Sequence, residues 1–283
     1  MKFLDIKQTT KDLLRVTLLG CLISCSRFPY QGVVEESEKY LKISHSEAFK
    51  KISMGEDSFQ YVSLGNEKGP LVVLVHGSPG GWGAFAHLYK DPELLDKVQL
   101  VTFDRLGYGE NNPGTPALKL EDQATIAKSL IRKYLTKDRK LIVLGHSYGG
   151  PVATKIVSQF RDKTHRLILV AASMSPKLEE ELWYQSLGKQ RLIRWMIPSF
   201  LDVCNREIIA LKVELKKLEK QYPMTVPTTI IHGKKDQLVP FGNVDYIKKH
   251  FTSSKLIVND HMGHFVPWAF PQLLINEIKE ASD

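Results

Sequence analysis

Short apolar runs rich in Val, Ile and Leu alternate along this chain with longer segments whose apolar residues return every three or four positions. The first pattern predicts strands and the second predicts amphipathic helices. Strands are expected near 59–64, 71–76, 99–103, 140–145, 166–171, 228–232 and 255–259. Helices are expected near 83–95, 122–135, 148–160, 241–250 and 271–280, and residues 40–56 should add an edge strand. Such alternation predicts an α/β fold, a mostly parallel sheet flanked by helices on both faces. The alternation stops between Ala172 and Val226. That span is rich in Leu, Glu, Lys and Trp, keeps a helical period, and is bounded by Pro176, Pro223 and Pro227.

Several strand ends carry chemistry. The apolar run Leu141–Leu144 stops at Gly145-His146-Ser147-Tyr148-Gly149-Gly150, and a helix-compatible segment begins at Val152. A G-x-S-x-G turn between strand and helix lifts its serine off the strand end. Gly145 and Gly149 leave room at the flanks of that turn, and Gly150 lets the helix pack close to the strand. The Ser147 hydroxyl then sits at a helix N-terminus, with the Tyr148 N–H open to an oxyanion. The same pattern also occurs in turns with an idle serine, so its weight comes from residues further along the chain. Thr228–Ile231 runs into Gly233 and Asp236, a carboxylate just past a strand end whose other reading is a cap for the helix after Pro240. Residues 255–264 form a strand and a loop ending in Gly263-His264. His264 is preferred to its rival His261 as a base, because Gly263 permits a close turn and His264 stands nearer the final helix. Leu71–Val75 ends in the Gly-rich turn His76-Gly77-Ser78-Pro79-Gly80-Gly81. This turn lacks the Lys-Ser/Thr of a P-loop and the G-x-G-x-x-G spacing of a dinucleotide site. Its place before the serine turn suits the Ser78 N–H as a second oxyanion donor.

Together these motifs, with the turn Phe103-Asp104-Arg105-Leu106-Gly107-Tyr108-Gly109, resemble the α/β-hydrolases of the broad group that includes epoxide hydrolases, haloalkane dehalogenases, proline iminopeptidases and many esterases. The resemblance spans roughly residues 59–281 and implies the α/β-hydrolase fold, with Ser147, Asp236 and His264 as a triad in the family's chain order. It also implies that the insertion is a helical cap of about three helices, near 177–187, 190–197 and 203–221. Trp82, Trp183, Tyr184 and Trp195, with Met196, are the candidate pocket-lining residues. Glu179, Glu180 and Glu181 fall in the first turn of an expected helix, where carboxylates favour the dipole; in iminopeptidases, cap glutamates hold the substrate's amine. Asp104 and Arg105 are expected to tie loops together beneath the site. Epoxide hydrolases and dehalogenases use an Asp nucleophile where this chain has Ser147. Proline iminopeptidases usually read His-Gly-Gly-Pro-Gly and Gly-Gly-Ser-Trp-Gly, unlike the turns here. The implied activity is acyl transfer from a small ester or thioester, without metal or organic cofactor. An aminopeptidase and a non-catalytic ligand-binding receptor are the rivals.

Composition changes this picture mainly at the N-terminus. The chain has 283 residues with 43% hydrophobic content, enough for a full core. Its net charge of +8 is dispersed, as in the mixed-sign stretch 212–220, so nucleic acid is not an expected partner. No Cys/His cluster has zinc spacing. Lys2, Lys7, Lys11 and Arg15 precede the apolar run Val16–Ile23, too short to span a bilayer but suited to a signal-peptide core. Leu22-Ile23-Ser24-Cys25 resembles a bacterial lipobox, with Leu18-Leu19-Gly20-Cys21 as a second candidate. The expectation is a lipidated Cys25 anchoring the protein to a membrane of the cell envelope, with Cys204 the sole cysteine left unmodified. The alternative is an amphipathic N-terminal helix on a cytoplasmic protein. The expected divisions are a leader (1–25), a tether and edge strand (26–58), core (59–172), cap (173–226) and core again (227–283).

Overall fold

The structure, a computed structural model, describes residues 48–179 and 197–283. The lipidation expected at Cys25, the pocket residues Trp183, Tyr184, Trp195 and Met196, and most of the first two cap helices lie outside these residues. Eight strands form one sheet in the order β1-β2-β4-β3-β5-β6-β7-β8. They are β1 (Phe49–Met54), β2 (Asp57–Gly65), β3 (Leu71–Val75), β4 (Gln99–Phe103), β5 (Leu141–His146), β6 (Thr164–Val170), β7 (Thr228–Gly233) and β8 (Ser254–Asn259). β1 pairs antiparallel with β2, and β2 with β4; every pairing from β4 through β3 to β8 is parallel.

The central strands β3, β4, β5 and β7 are buried at every position. Alternate side chains of a strand leave on opposite faces, so a fully apolar run feeds two cores at once. Leu71, Val73, Val75, Leu141 and Val143 enter one cluster, whereas Val72, Leu74, Ile142 and Leu144 enter the other. Helices α3 (Thr125–Tyr134), α4 (Gly149–Gln159), α5 (Ser199–Leu218) and α6 (Gly242–His250) cover the first face, through residues such as Leu130, Ile156, Leu211 and Ile247. The second face is covered by a 3-10 stretch, Trp82–Lys90, with α1 (Pro92–Lys97) and α8 (Pro271–Ser282), through Phe85, Leu94 and Leu274. Two single-turn helices, α2 (Leu120–Gln123) and α7 (Val266–Ala269), complete the set among the described residues.

Two elements depart from the apolar pattern for local reasons. The single helix expected over 83–95 is split at Asp91-Pro92. Proline lacks the N–H that would continue a helix but suits the first helical position, and the Asp91 carboxylate accepts the Leu94 N–H at 2.7 Å, capping α1. The helix expected over 122–135 is likewise two pieces, α2 and α3, meeting at Ala124. The edge strand sought within 40–56 is β1, pinned in register by Ile52 opposite Phe59. Because β3, β5, β6, β7 and β8 run parallel, the loops that follow them open on one edge of the sheet, and that edge carries the site.

Candidate active site

Ser147 directly follows β5 with φ of +55°, a left-handed conformation that is rare for a side chain with a Cβ. The strain is held by packing that admits no alternative. The Ser147 N–H donates to Val170 O at 2.9 Å, and its carbonyl accepts from Gly150 N at 2.9 Å. A Cβ on Gly149 would lie 2.2 Å from Val75 O, and one on Gly145 would lie 2.3 Å from Gly149 O. The turn is therefore pressed against β3 on one side and α4 on the other, and only hydrogen atoms fit between.

The structure brings Ser147 together with His264 and Asp236 from two other loops. His264 Nε2 lies 3.0 Å from Ser147 Oγ, and His264 Nδ1 lies 2.8 Å from Asp236 Oδ2. The second carboxylate oxygen of Asp236 accepts the N–H groups of Leu238 (2.9 Å) and Val239 (2.8 Å). Burial alone would push the Asp236 carboxyl up, but the adjoining His264 and the Val239 amide outweigh it and hold the carboxyl below its ordinary range. His261 is exposed, with its own N–H bonded to Asn259 Oδ1. It takes no part in this line. A Cβ on Gly263 would meet no atom nearer than 3.8 Å, so the turn before His264 does not require glycine there.

Two histidines that the sequence reading did not single out brace this line. His146 Nε2 donates to His264 O at 3.0 Å, and its ring sits 4.9 Å from the His264 ring. Burial, and then the nearby His264, lower its pKa to about 3, so it stays a neutral donor. His232 Nε2 donates to Val239 O at 3.1 Å and stands 3.7 Å from Asp236 Oδ2. Each histidine is the penultimate or final residue of a strand, where polar side chains interrupt an apolar run. That interruption is the sequence signal that could have found them.

Ser78 sits in the loop after β3, beside the serine turn: a Cβ on Gly77 would lie 3.0 Å from Ser147 Cβ. Ser78 Oγ donates to Glu207 Oε2 at 2.6 Å. The side chain of Tyr148 is buried, and Arg105 Cζ lies 4.6 Å from its ring centre. The amides of Ser78 and Tyr148 have no backbone carbonyl partner among the described loop contacts. Asp104 and Arg105 tie loops together: Asp104 Oδ1 accepts the Trp82 N–H at 2.7 Å, and Arg105 donates to His76 O and Gly77 O. The Trp82 ring packs edge-on against Phe49, 5.3 Å between centroids, on the second core face. Glu179 Oε1 accepts Ser173 Oγ–H at 2.7 Å, and the Ser173 N–H points to Ser147 O at 3.3 Å. No group of three His, Cys, Asp or Glu among the described residues could hold a metal ion.

Glu207 is the functional candidate that sequence reading missed. It lies in the buried stripe of α5, with Val203, Leu211, Leu215 and Leu218, and a glutamate in such a stripe is the signal that marks it.

The model of the alpha/beta hydrolase family matches residues 72–277. A pimeloyl-[acyl-carrier protein] methyl ester esterase of Nitrosomonas europaea is 24% identical over 250 residues, covering 74% of this chain and 94% of its own. A proline iminopeptidase of Saccharolobus solfataricus is 24% identical over 272 residues, covering 75% of this chain and 84% of its own. Among solved structures, an esterase from Exiguobacterium antarcticum superposes with a TM-score of 0.62 at 21% identity, covering 84% of this chain and all of that one.

Proposed function

This chain belongs to the alpha/beta hydrolase family and is a hydrolase, and from that premise we propose that it is a serine hydrolase acting by acyl transfer on a small ester or thioester. The observation that carries the reading is the continuous line Ser147 Oγ–His264 Nε2 (3.0 Å) and His264 Nδ1–Asp236 Oδ2 (2.8 Å) at the end of β5. Neutral His264 with its proton on Nδ1 presents a lone pair on Nε2 to the serine hydroxyl. Its acceptance of that proton makes Ser147 Oγ a nucleophile toward an acyl carbon. Asp236 holds the tautomer and stabilises the imidazolium that forms. The developing oxyanion is received by the N–H groups of Ser78 and Tyr148, where one lost donor costs about 3–4 kcal/mol of barrier. His264 then returns the proton to the leaving group and activates water to hydrolyse the acyl-enzyme. The esterase relatives support the substrate class.

A second reading, an aminopeptidase, is favoured by Glu179, whose carboxylate accepts the hydroxyl of Ser173, the residue whose N–H points to the Ser147 carbonyl. The two readings are separated by one experiment. The protein is offered p-nitrophenyl acyl esters and aminoacyl-naphthylamides, with fluorophosphonate labelling of Ser147 as the check on the nucleophile. Ester turnover with labelling supports the first reading, and naphthylamide turnover the second. Absence of turnover together with absence of fluorophosphonate labelling would overturn the serine-hydrolase reading.

A further inference from the structure

Behind the proposed oxyanion loop lies a buried charge cluster whose acid comes from the inserted helix α5. The Glu207 side chain has no exposed surface and accepts five hydrogen bonds from described residues. Oε1 takes Arg105 Nη1 (2.7 Å) and Gln123 Nε2 (2.6 Å), while Oε2 takes Ser78 Oγ (2.6 Å), Tyr108 Oη (2.8 Å) and Arg105 Nη2 (3.1 Å). Arg105, equally buried, gives Nε–H to His76 O (3.1 Å) and a second Nη2–H to Gly77 O (2.9 Å), the two carbonyls that precede Ser78. The guanidinium also rests against the ring of Tyr148, 4.6 Å from Cζ to the centroid. One ion pair thus grips both residues whose amides are the proposed oxyanion donors: Ser78 through its hydroxyl and the carbonyls before it, Tyr148 through its ring.

We infer that Glu207, acting through Arg105 and the Ser78 hydroxyl, is a positioning residue that sets the two oxyanion N–H groups at reacting distance. This inference rests on the serine-hydrolase reading of the site. Stability alone does not account for the pair, because a buried ion pair is often no better than apolar side chains of the same volume. What it adds is direction. The planar fork of an arginine, locked bidentately by a carboxylate, fixes the carbonyls it touches in orientation as well as distance. The chemistry needs that, since a misplacement of about 1 Å at a reacting centre can cost on the order of 100-fold in rate. The pair also makes the site composite: β3 and β5 supply the donors, and a helix from the insertion between β6 and β7 holds them.

The test uses Glu207→Gln in the full chain, assayed with p-nitrophenyl butyrate and with an alkyl trifluoromethyl ketone. The ketone adduct with Ser147 places an oxyanion between the two amides. The expected result is a kcat loss of roughly 10- to 100-fold, a matching loss of ketone affinity, and a KM within about 2-fold of wild type. The pH midpoint of kcat/KM should not move, since the line from Ser147 to Asp236 is untouched. The double variant Arg105→Met with Glu207→Leu removes both charges at similar volume and should fold with the same kcat loss. The inference is overturned if a folded Glu207→Gln keeps kcat and ketone affinity within about 2-fold, or if its defect lies in KM alone. It also falls if neither variant folds, for the pair is then a folding element. Failure of wild-type Ser147 to react with fluorophosphonate is a separate outcome; it would overturn the serine-hydrolase reading and this inference with it.

Discussion

At the scale of single residues, roles follow from what each side chain touches. Ser147→Ala and His264→Ala should each lower kcat by roughly 10⁴- to 10⁶-fold, and Asp236→Asn by about 10⁴-fold because the wrong imidazole tautomer is then favoured. His261→Ala should retain wild-type turnover, because His261 is exposed and its N–H is taken up by Asn259; steady-state kinetics on folded variants would check all four. Asp104 offers a test by pH. Burial pushes its carboxyl up to about 6 from an ordinary 3.8, against the opposing pull of the Trp82 amide. The folded chain therefore binds this proton more tightly than the unfolded chain does. The resulting stability is fully present below 3.8 and is lost as pH rises through about 6. Relative to Asp104→Asn, which cannot titrate, wild type should lose up to about 3 kcal/mol of unfolding free energy between roughly pH 3.5 and 6.5. Urea unfolding of both proteins across that range would show it, and parallel curves would exclude it.

At the scale of elements, the serine turn and the histidine loop look alike in sequence and behave differently in the fold. Both carry glycine beside a functional residue. Gly149 is pressed against Val75 O, and its replacement by Ala drives a Cβ into backbone that cannot yield. Gly149→Ala should cost about 1–3 kcal/mol or more and disable the nucleophile. Gly263→Ala meets open space at an ordinary backbone angle, and should change stability by no more than about 0.5 kcal/mol. Denaturant midpoints for the pair would decide. The elements themselves were legible: each of the seven strand segments expected from apolar runs appears as a strand, most firmly β3, β4, β5 and β7, where a run buried on both faces leaves few other solutions. Boundaries were lost where capping chemistry overrode the period, as at Asp91-Pro92.

At the scale of the whole molecule, the parallel sheet and its insertion decide what can meet. Glu207, 60 residues beyond Ser147 in sequence, reaches Ser78 because α5 returns across the edge where β3 and β5 end. The N-terminal segment lies outside the described residues, and its chemistry is read from sequence alone. The basic–apolar–Cys order of residues 2–25 predicts processing before Cys25 and detergent partitioning when the full chain is expressed in a bacterium. Cys25→Ser should block both, whereas a chain starting at Ser26 should keep full activity, since every proposed catalytic residue lies beyond residue 70. Intact mass with Met1 retained and protein in the soluble fraction would refute the anchoring. Among the described residues, no helix is long and apolar enough to cross a membrane.

The sequence by itself determined the alternating strands and helices, the strained serine turn, and the order in which Ser147, Asp236 and His264 follow their strands. These are local properties, written in apolar period and glycine spacing over a few residues at a time. Only the tertiary structure set His264, and not the exposed His261, within hydrogen-bond distance of Ser147 and Asp236. It alone revealed His146 and His232 as braces, and it alone placed Glu207 against the loop that carries Ser78. Those facts depend on which strand ends lie side by side in the order β4-β3-β5-β6-β7-β8 and on the path of an inserted helix. A buried glutamate joins an arginine 102 positions away because folding leaves both without water and within reach of each other, and no local pattern encodes that encounter.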